Sequence, residues 1–326
     1  MSKVRNILVI LFLTSATTGL NAQDLQFSQF YSIPVYLSPS FAGSSGGQRV
    51  VANYRNQWPE IPRAYETYAL SYDRYFSQLN SGVGILLTHD TKGELNMSTT
   101  GIDLTYAYDF RITHSIHARP AIQFQYSYAG IRMDKMLART QLINPGSLVT
   151  DPVTRENFWF FDAGTSFMIY NDIFWLGTTV NHLMRPNYTF GQKEKLPVRF
   201  NIYSGVKLIN KGRMIEPKDE HLFLAFNYRQ MVHFSQLDIG LLGHKKSFNL
   251  GLWYRGIPFI KDNPGSDAII FMTGFVQKNY SVGISYDFTI SPLKSYTNGA
   301  IEVAFIYLSG EPTPKKKITM VPCPIL

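Results

Sequence analysis

From Tyr280 to Ser291 the chain alternates without an error. One face carries Tyr280, Val282, Ile284, Tyr286, Phe288 and Ile290, and the other Ser281, Gly283, Ser285, Asp287, Thr289 and Ser291. Gly101 to Ile112 repeats the pattern, with Ile102, Leu104, Tyr106, Tyr108, Phe110 and Ile112 opposite Gly101, Asp103, Thr105, Ala107, Asp109 and Arg111. A period of two is that of a strand with unlike faces. About ten residues is the length a tilted membrane strand needs, whereas strands of soluble sandwiches mostly stop near 5 to 6.

The same period predicts strands over 48–58, 62–77, 82–92, 96–111, 116–133, 158–170, 173–186, 197–209, 221–231, 233–243, 246–256, 267–277, 280–291 and 298–309. That makes fourteen, an even number, as single-chain bacterial outer-membrane barrels have. Aromatic residues cluster at strand ends, as in Tyr72, Tyr75 and Phe76, or Trp159, Phe160 and Phe161, where interfacial girdles belong. The polar faces carry Asn53, Arg55 and Gln57, then Gln123, Gln125 and Ser127, then Asn227 and Arg229, then Asn249 and Arg255, as the lining of a wet interior. Short turns are expected at Gln78 to Gly82, Asp262 to Gly265 and Gln277 to Asn279, and long connections at Met136 to Asn157, Asn187 to Lys195 and Lys211 to Glu220. The fold expected is an all-β, antiparallel up-and-down transmembrane barrel over 48–310. Its polypeptide ends would share the periplasmic side, with a periplasmic tail over 311–326.

Residues 1–22 read as a secretory leader: Lys3 and Arg5, an apolar run from Ile7 to Leu13, and small residues leading to Ala22. The run is too short to span a bilayer. Without the two leader cations the formal charge falls from +8 to +6. The one basic run, Lys315-Lys316-Lys317, lies among prolines near the end, so the sequence offers no phosphate-binding cluster and nucleic acid is not an expected partner. The single cysteine, Cys323, cannot form an internal disulfide. With 20 Tyr, 23 Phe and only 17% charged residues, an exported chain of this kind is more at home in lipid than in solution. Chemistry is sparse. His233 and Ser235 share a strand face, but no third group can be placed to orient them, and His114 and His117 would point to opposite sides of a strand. No cofactor or metal site is expected, nor an enzyme.

One stretch breaks the alternation: Ser28 to Gly43, SQFYSIPVYLSPSFAG. Together with Gln23-Asp24 and Gln26-Phe27, its residues Phe30, Tyr31, Pro34, Tyr36, Leu37, Pro39 and Phe41-Ala42-Gly43 resemble the start of the PorP/SprF family, outer-membrane proteins of the Bacteroidetes type IX secretion system. The resemblance continues through Asn53-Tyr54-Arg55-Asn56-Gln57-Trp58-Pro59, Tyr65, Thr67-Tyr68, Ser71-Tyr72-Asp73 and Gly82-Val83-Gly84, and returns in Cys323-Pro324. Ser38-Pro39-Ser40-Phe41 stands where the family often has Asn-Pro-Ala-Phe. The resemblance implies a non-catalytic part of the secretion apparatus, one that also serves gliding motility. It implies as partners the translocon and periplasmic machine components, and the C-terminal signal domains of exported cargo. Outer-membrane lipid is the partner that the barrel itself expects. A passive porin or hydrophobic-solute channel is the competing reading.

Pro34 and Pro39 would each remove a ladder donor, so the stretch is no membrane strand. Phe30, Tyr31, Tyr36, Leu37 and Phe41 are too apolar for a free tail. Residues 23–47 are therefore expected as an ordered extended segment at the periplasmic mouth or in the lumen, making plug or partner contacts, with Gly43 to Gly47 as the hinge into the first strand. Asn53, Arg55, Gln57, Trp58 and Asp73 are the family-motif positions expected to face the lumen.

Overall fold

The computed structural model describes residues 24–61, 64–93, 96–131, 157–188, 190, 194–213, 216–232, 234–257, 268–290, 298–309 and 321. The first strands are β1 (Gln48–Gln57), β2 (Tyr65–Phe76), β3 (Ser81–Lys92), β4 (Met97–Tyr108), β5 (Phe110–Arg111) and β6 (His117–Gly130). They are followed by β7 (Asn157–Tyr170), β8 (Phe174–Asn181), β9 (Arg199–Arg213) and β10 (Glu216–Met231). The last are β11 (Phe234–Lys245), β12 (Phe248–Arg255), β13 (Ala268–Gln277), β14 (Tyr280–Thr289) and β15 (Ala300–Ser309).

Each strand pairs antiparallel with its sequence neighbour, β1 pairs with β15 from Gln48↔Ser309 to Gln57↔Ala300, and β4 pairs with β6. The two-residue β5 continues β4 beyond Asp109, whose carboxylate turns inward, so fourteen strands span the wall of a closed barrel. Closure leaves no sheet edge for lipid, which cannot satisfy backbone groups. Side chains follow the period. In β14, Ser281, Ser285 and Asp287 are buried while Tyr280, Ile284 and Phe288 are exposed to the lipid side. In β4, Ile102, Leu104, Tyr106 and Tyr108 face out and Asp103, Thr105 and Ala107 face in.

The two rims differ. Where β1 begins and β15 ends, connections have at most five residues (77–80, 112–116, 171–173, 214–215, 246–247 and 278–279). Every longer connection (58–64, 131–156, 182–198, 256–267 and 290–299) lies at the opposite rim.

Two expected elements are corrected. Lys211 to Glu220 is not a long connection, because β9 runs to Arg213 and β10 starts at Glu216. A hairpin that rises past the lipid keeps its backbone pairing without needing an apolar face, so the periodicity fades before the strand does. The strand expected over 173–186 ends at Asn181, where His182 takes a left-handed φ of 61° and turns the chain over the mouth. The expected turn at 262–265 and nearly all of the 136–157 connection lie outside the described residues, as do the leader, His233, the basic run at 315–317 and Cys323.

Candidate functional site: the occupied lumen

Residues 24–46 thread the barrel. The segment is not extended as expected: α1 (Pro34–Leu37) is one helical turn and Pro39–Phe41 a 3-10 turn. The prolines that exclude a strand are the reason. Each opens its turn, where the missing N–H has no partner to lose and the fixed φ suits the first helical position. Between the two turns, the Ser38 hydroxyl accepts from the Ser40 amide at 3.3 Å.

The segment is bound along its length by the inward faces of the strands. The Gln26 amide donates to Gln236 at 2.7 Å. The backbone amides of Ser28 and Gln29 donate to the Glu302 carboxylate at 2.6 and 3.1 Å, and the Ser28 hydroxyl to Asp287 at 2.6 Å. Arg255 donates to the Phe27 carbonyl at 3.1 Å. Lower down, Tyr203 donates to Ser38 at 2.8 Å, Ser40 meets Ser166 at 2.6 Å, and Arg119 donates to the carbonyls of Ser40 and Ala42. Asp73 accepts from the Gly43 amide at 2.8 Å and Arg49 donates to the Phe41 carbonyl at 3.0 Å. Backbone groups at both ends of the segment, Phe27 to Gln29 and Ser40 to Gly43, thus find wall side chains.

On the other side of the lumen the contact is apolar. Phe30, Tyr31, Ile33, Val35, Leu37 and Phe41 join Trp175, Tyr203, Phe223, Trp253, Ile270 and Met272 in one buried cluster, to which Val321 also belongs. Tyr31 stacks on Trp253 with ring centroids 5.3 Å apart, and Phe30 meets the same indole edge-on at 5.0 Å. Burying four or five such side chains is worth on the order of 10 kcal/mol of transfer free energy before entropy is counted.

The wall charges form a chain of pairs. Arg55 bridges Glu302 (3.3 Å) and Asp287 (3.0 Å), Asp287 also holds Arg255 (2.9 Å), and Arg255 and Arg229 share Asp238 (2.8 and 3.1 Å). Arg49–Asp73 and Arg119–Asp109 are separate pairs at 2.8 and 2.9 Å. At the long-loop mouth, Asp24 accepts from Arg199 at 2.6 Å and pairs with His182 Nε2 at 2.8 Å, while His182 Nδ1 meets Asp162 at 2.5 Å. Burial alone would lower the His182 pKa, but Asp24 and the hydrogen bonds to Asp162 and Asp24 push it up to about 9. Burial would raise Asp24, yet His182 and Arg199 hold it well below the ordinary carboxylate range.

Glycines let the segment leave. Gly43 (φ 70°) and Gly46 (φ 74°) turn the chain into β1. A Cβ on Gly82 would lie 1.9 Å from the Ala42 carbonyl oxygen, so β3 must start with bare backbone there.

Of the residues singled out in the sequence, Phe30, Tyr31, Pro34, Leu37, Pro39 and Phe41 are buried in the lumen, and Tyr36 is partly so, its hydroxyl donating to the Leu25 carbonyl. Asn53, Arg55 and Asp73 face inward and buried. Gln57 lies at the long-loop mouth, and Trp58 does not face the lumen from a strand: it sits beyond β1 with φ 62°, edge-on to Tyr65 at 5.3 Å. The interior expected to be wet is packed with chain. His114 is exposed and His117 pairs with Asp109 at 2.9 Å, while Ser235 is half-buried in β11.

Residues 19–307 match the family described as type IX secretion system membrane protein PorP/SprF. The chain belongs to the PorP/SprF family. No curated protein matches the sequence. Among solved structures, the CymD monoaromatic hydrocarbon channel is 8% identical, with 86% of this chain and 94% of the channel covered and a TM-score of 0.50. The toluene transporter TbuX of Ralstonia pickettii (7% identical, 83% and 91% covered) and Omp33 of Acinetobacter baumannii (7%, 81% and 98%) have TM-scores of 0.48 and 0.44. At such identities the likeness to the hydrocarbon channel is one of barrel fold.

In this PorP/SprF barrel, sequence reasoning missed the groups that do most of the binding: Arg49, Arg119, Glu302, Asp287, Asp238 and the Asp24–His182 pair. A signal was present. Glu302 stands between Ile301 and Val303, and Asp287 between Tyr286 and Phe288, each a lone carboxylate on the inward face of an otherwise lipid-facing strand. A buried charge implies a partner, but the period cannot say which.

Proposed function

We propose that this PorP/SprF-family protein is a non-catalytic outer-membrane component of the type IX secretion system. In this reading it supports export or surface attachment of cargo, and gliding motility where that machine drives it, by binding machine components and the C-terminal signal domains of cargo. The observation that carries the reading is the occupied lumen. A barrel filled by its own residues 24–46, with most of its described wall guanidinium groups engaged by carboxylates, has its mouths and loops left for work, and those would be the protein-binding surfaces. Phe30, Tyr31, Pro34, Tyr36, Leu37, Pro39 and Phe41 act as the plug, and Arg55 and Asp73 as its wall anchors.

Affinity capture of the intact protein from native outer membranes tests this. Recovery of secretion-machine components or of cargo C-terminal signal domains is the expected result, and recovery of neither would overturn it. The competing reading, a channel for small apolar solutes, has in its favour the barrel likeness to a hydrocarbon channel. Large, steady conductance of the purified barrel in planar bilayers would favour that reading.

A further inference from the structure

The direction of threading places the amino-terminal end of the chain. Along the segment, wall contacts descend in order. Asp24 is held by His182 and Arg199, which stand at the long-loop ends of β8 and β9. Asp24 and Leu25 also line a cleft with Trp58, Tyr65 and Lys92, at the same rim on the other side of the barrel. Gln26 meets Gln236 near the start of β11, and Ser28 meets Asp287 and Glu302, close to the long-loop ends of β14 and β15. Tyr31 reaches Met272 halfway along β13, Ser38 meets Tyr203 in β9, and Ser40 meets Arg119 near the short-turn end of β6. Gly43 reaches Asp73 at the short-turn end of β2, and the chain enters β1 at that rim. The segment therefore crosses the whole lumen, from Asp24 at the long-loop rim to β1 at the short-turn rim, where β15 also ends.

We infer that the chain preceding Asp24 leaves the barrel at the long-loop mouth, so that the processed amino terminus is displayed on the cell surface. Short turns of outer-membrane barrels face the periplasm and long loops the outside, which assigns the Asp24 mouth to the exterior. The inference rests on the orientation of the barrel and on the leader reading of residues 1–22, and it stands apart from the secretion role.

Cysteine labelling on intact cells tests it, in full-length protein with the native thiol removed by Cys323→Ser. Gln23→Cys reports the amino-terminal end, exposed Glu60→Cys the long-loop rim and exposed Lys278→Cys the short-turn rim. With a bulky membrane-impermeant maleimide, Gln23→Cys and Glu60→Cys are expected to label at once and Lys278→Cys only after outer-membrane permeabilisation. Heat-modifiable electrophoretic mobility checks that each variant is a folded barrel. If Gln23→Cys behaves like Lys278→Cys, or stays unlabelled even after permeabilisation, the inference is wrong. If Glu60→Cys is the one that needs permeabilisation, the orientation is reversed and the inference falls with it. An epitope inserted between Gln23 and Asp24 gives an independent reading: antibody binding to intact cells is expected, and binding only after permeabilisation overturns the proposal.

Discussion

At the scale of single residues, most of the charges described in the lumen stand in pairs. Asp287 serves Arg55 and Arg255 together, and all three side chains are at most 5% exposed. Asp287→Ala leaves two buried guanidinium groups short of a counter-charge, and one-sided removal of such a pair costs about 3 to 5 kcal/mol. The expected outcome is a lower urea midpoint for loss of the heat-modifiable form, with Asp287→Asn milder because it keeps an acceptor. The mouth latch is pH-dependent in a stated direction. His182 has a folded pKa of about 9 against 6.5 unperturbed, so its contribution is full below about 6.5 and is lost as pH rises through about 9. Asp24, held low, contributes in full above its ordinary value near 3.8 and through neutrality, and loses that contribution progressively as the pH falls below it. The hydrogen-exchange protection of residues 24–30 in the purified barrel, with the intrinsic base-catalysed rise in rate divided out, should therefore fall as pH passes 9. In His182→Gln that protection should be low already at pH 7 and flat across the range. An unchanged wild-type profile would mean that the Asp24–His182–Asp162 cluster does not fasten the segment.

At the scale of elements, the decisive match is between the threaded segment and the rim where it turns. Gly82→Ala puts a methyl group into the Ala42 carbonyl, and the flanking contact is Gly43, itself at φ 70° and backed by Tyr75, so neither chain has a side chain to move aside. The expected result is a barrel whose amino-terminal segment is cleaved by added protease under conditions that leave the native segment intact. Pro34→Ala, by contrast, keeps α1 and should change stability by less than about 1 kcal/mol, since proline there acts mainly by restricting the unfolded chain. If Pro34→Ala released the segment while Gly82→Ala did not, helix entry rather than close approach would control seating.

At the scale of the whole molecule, removing the plug separates wall from filling. Deletion of residues 24–43 strips the acceptors and donors from Arg119, Arg255, Glu302 and Asp73 and bares the Trp253 and Tyr203 face of the lumen. Intact protein is expected to conduct little in planar bilayers, and the deletion, where it still folds, to conduct strongly. Equal low conductance in both would mean that something other than this segment closes the barrel. Much of this architecture was written in the chain. A period of two over about ten residues has only one physical use in an exported, aromatic-rich sequence without disulfides, so Tyr280 to Ile290 and Ile102 to Phe110 fix strands, lipid face and approximate ends by themselves. The same reasoning barred Pro34 and Pro39 from the ladder and the aromatics between them from water. It could not find the helical turns, because one turn has too few residues to show a period. Nor could it pair Glu302 with Arg55 or Asp24 with His182, since those partners lie 247 and 158 positions apart and meet only when β1 closes on β15 and the segment lies between. Local pattern is a property of neighbours in sequence, and it determined the wall. What fills the wall, which way it runs and which mouth holds Asp24 are properties of closure, and only the tertiary structure decided them.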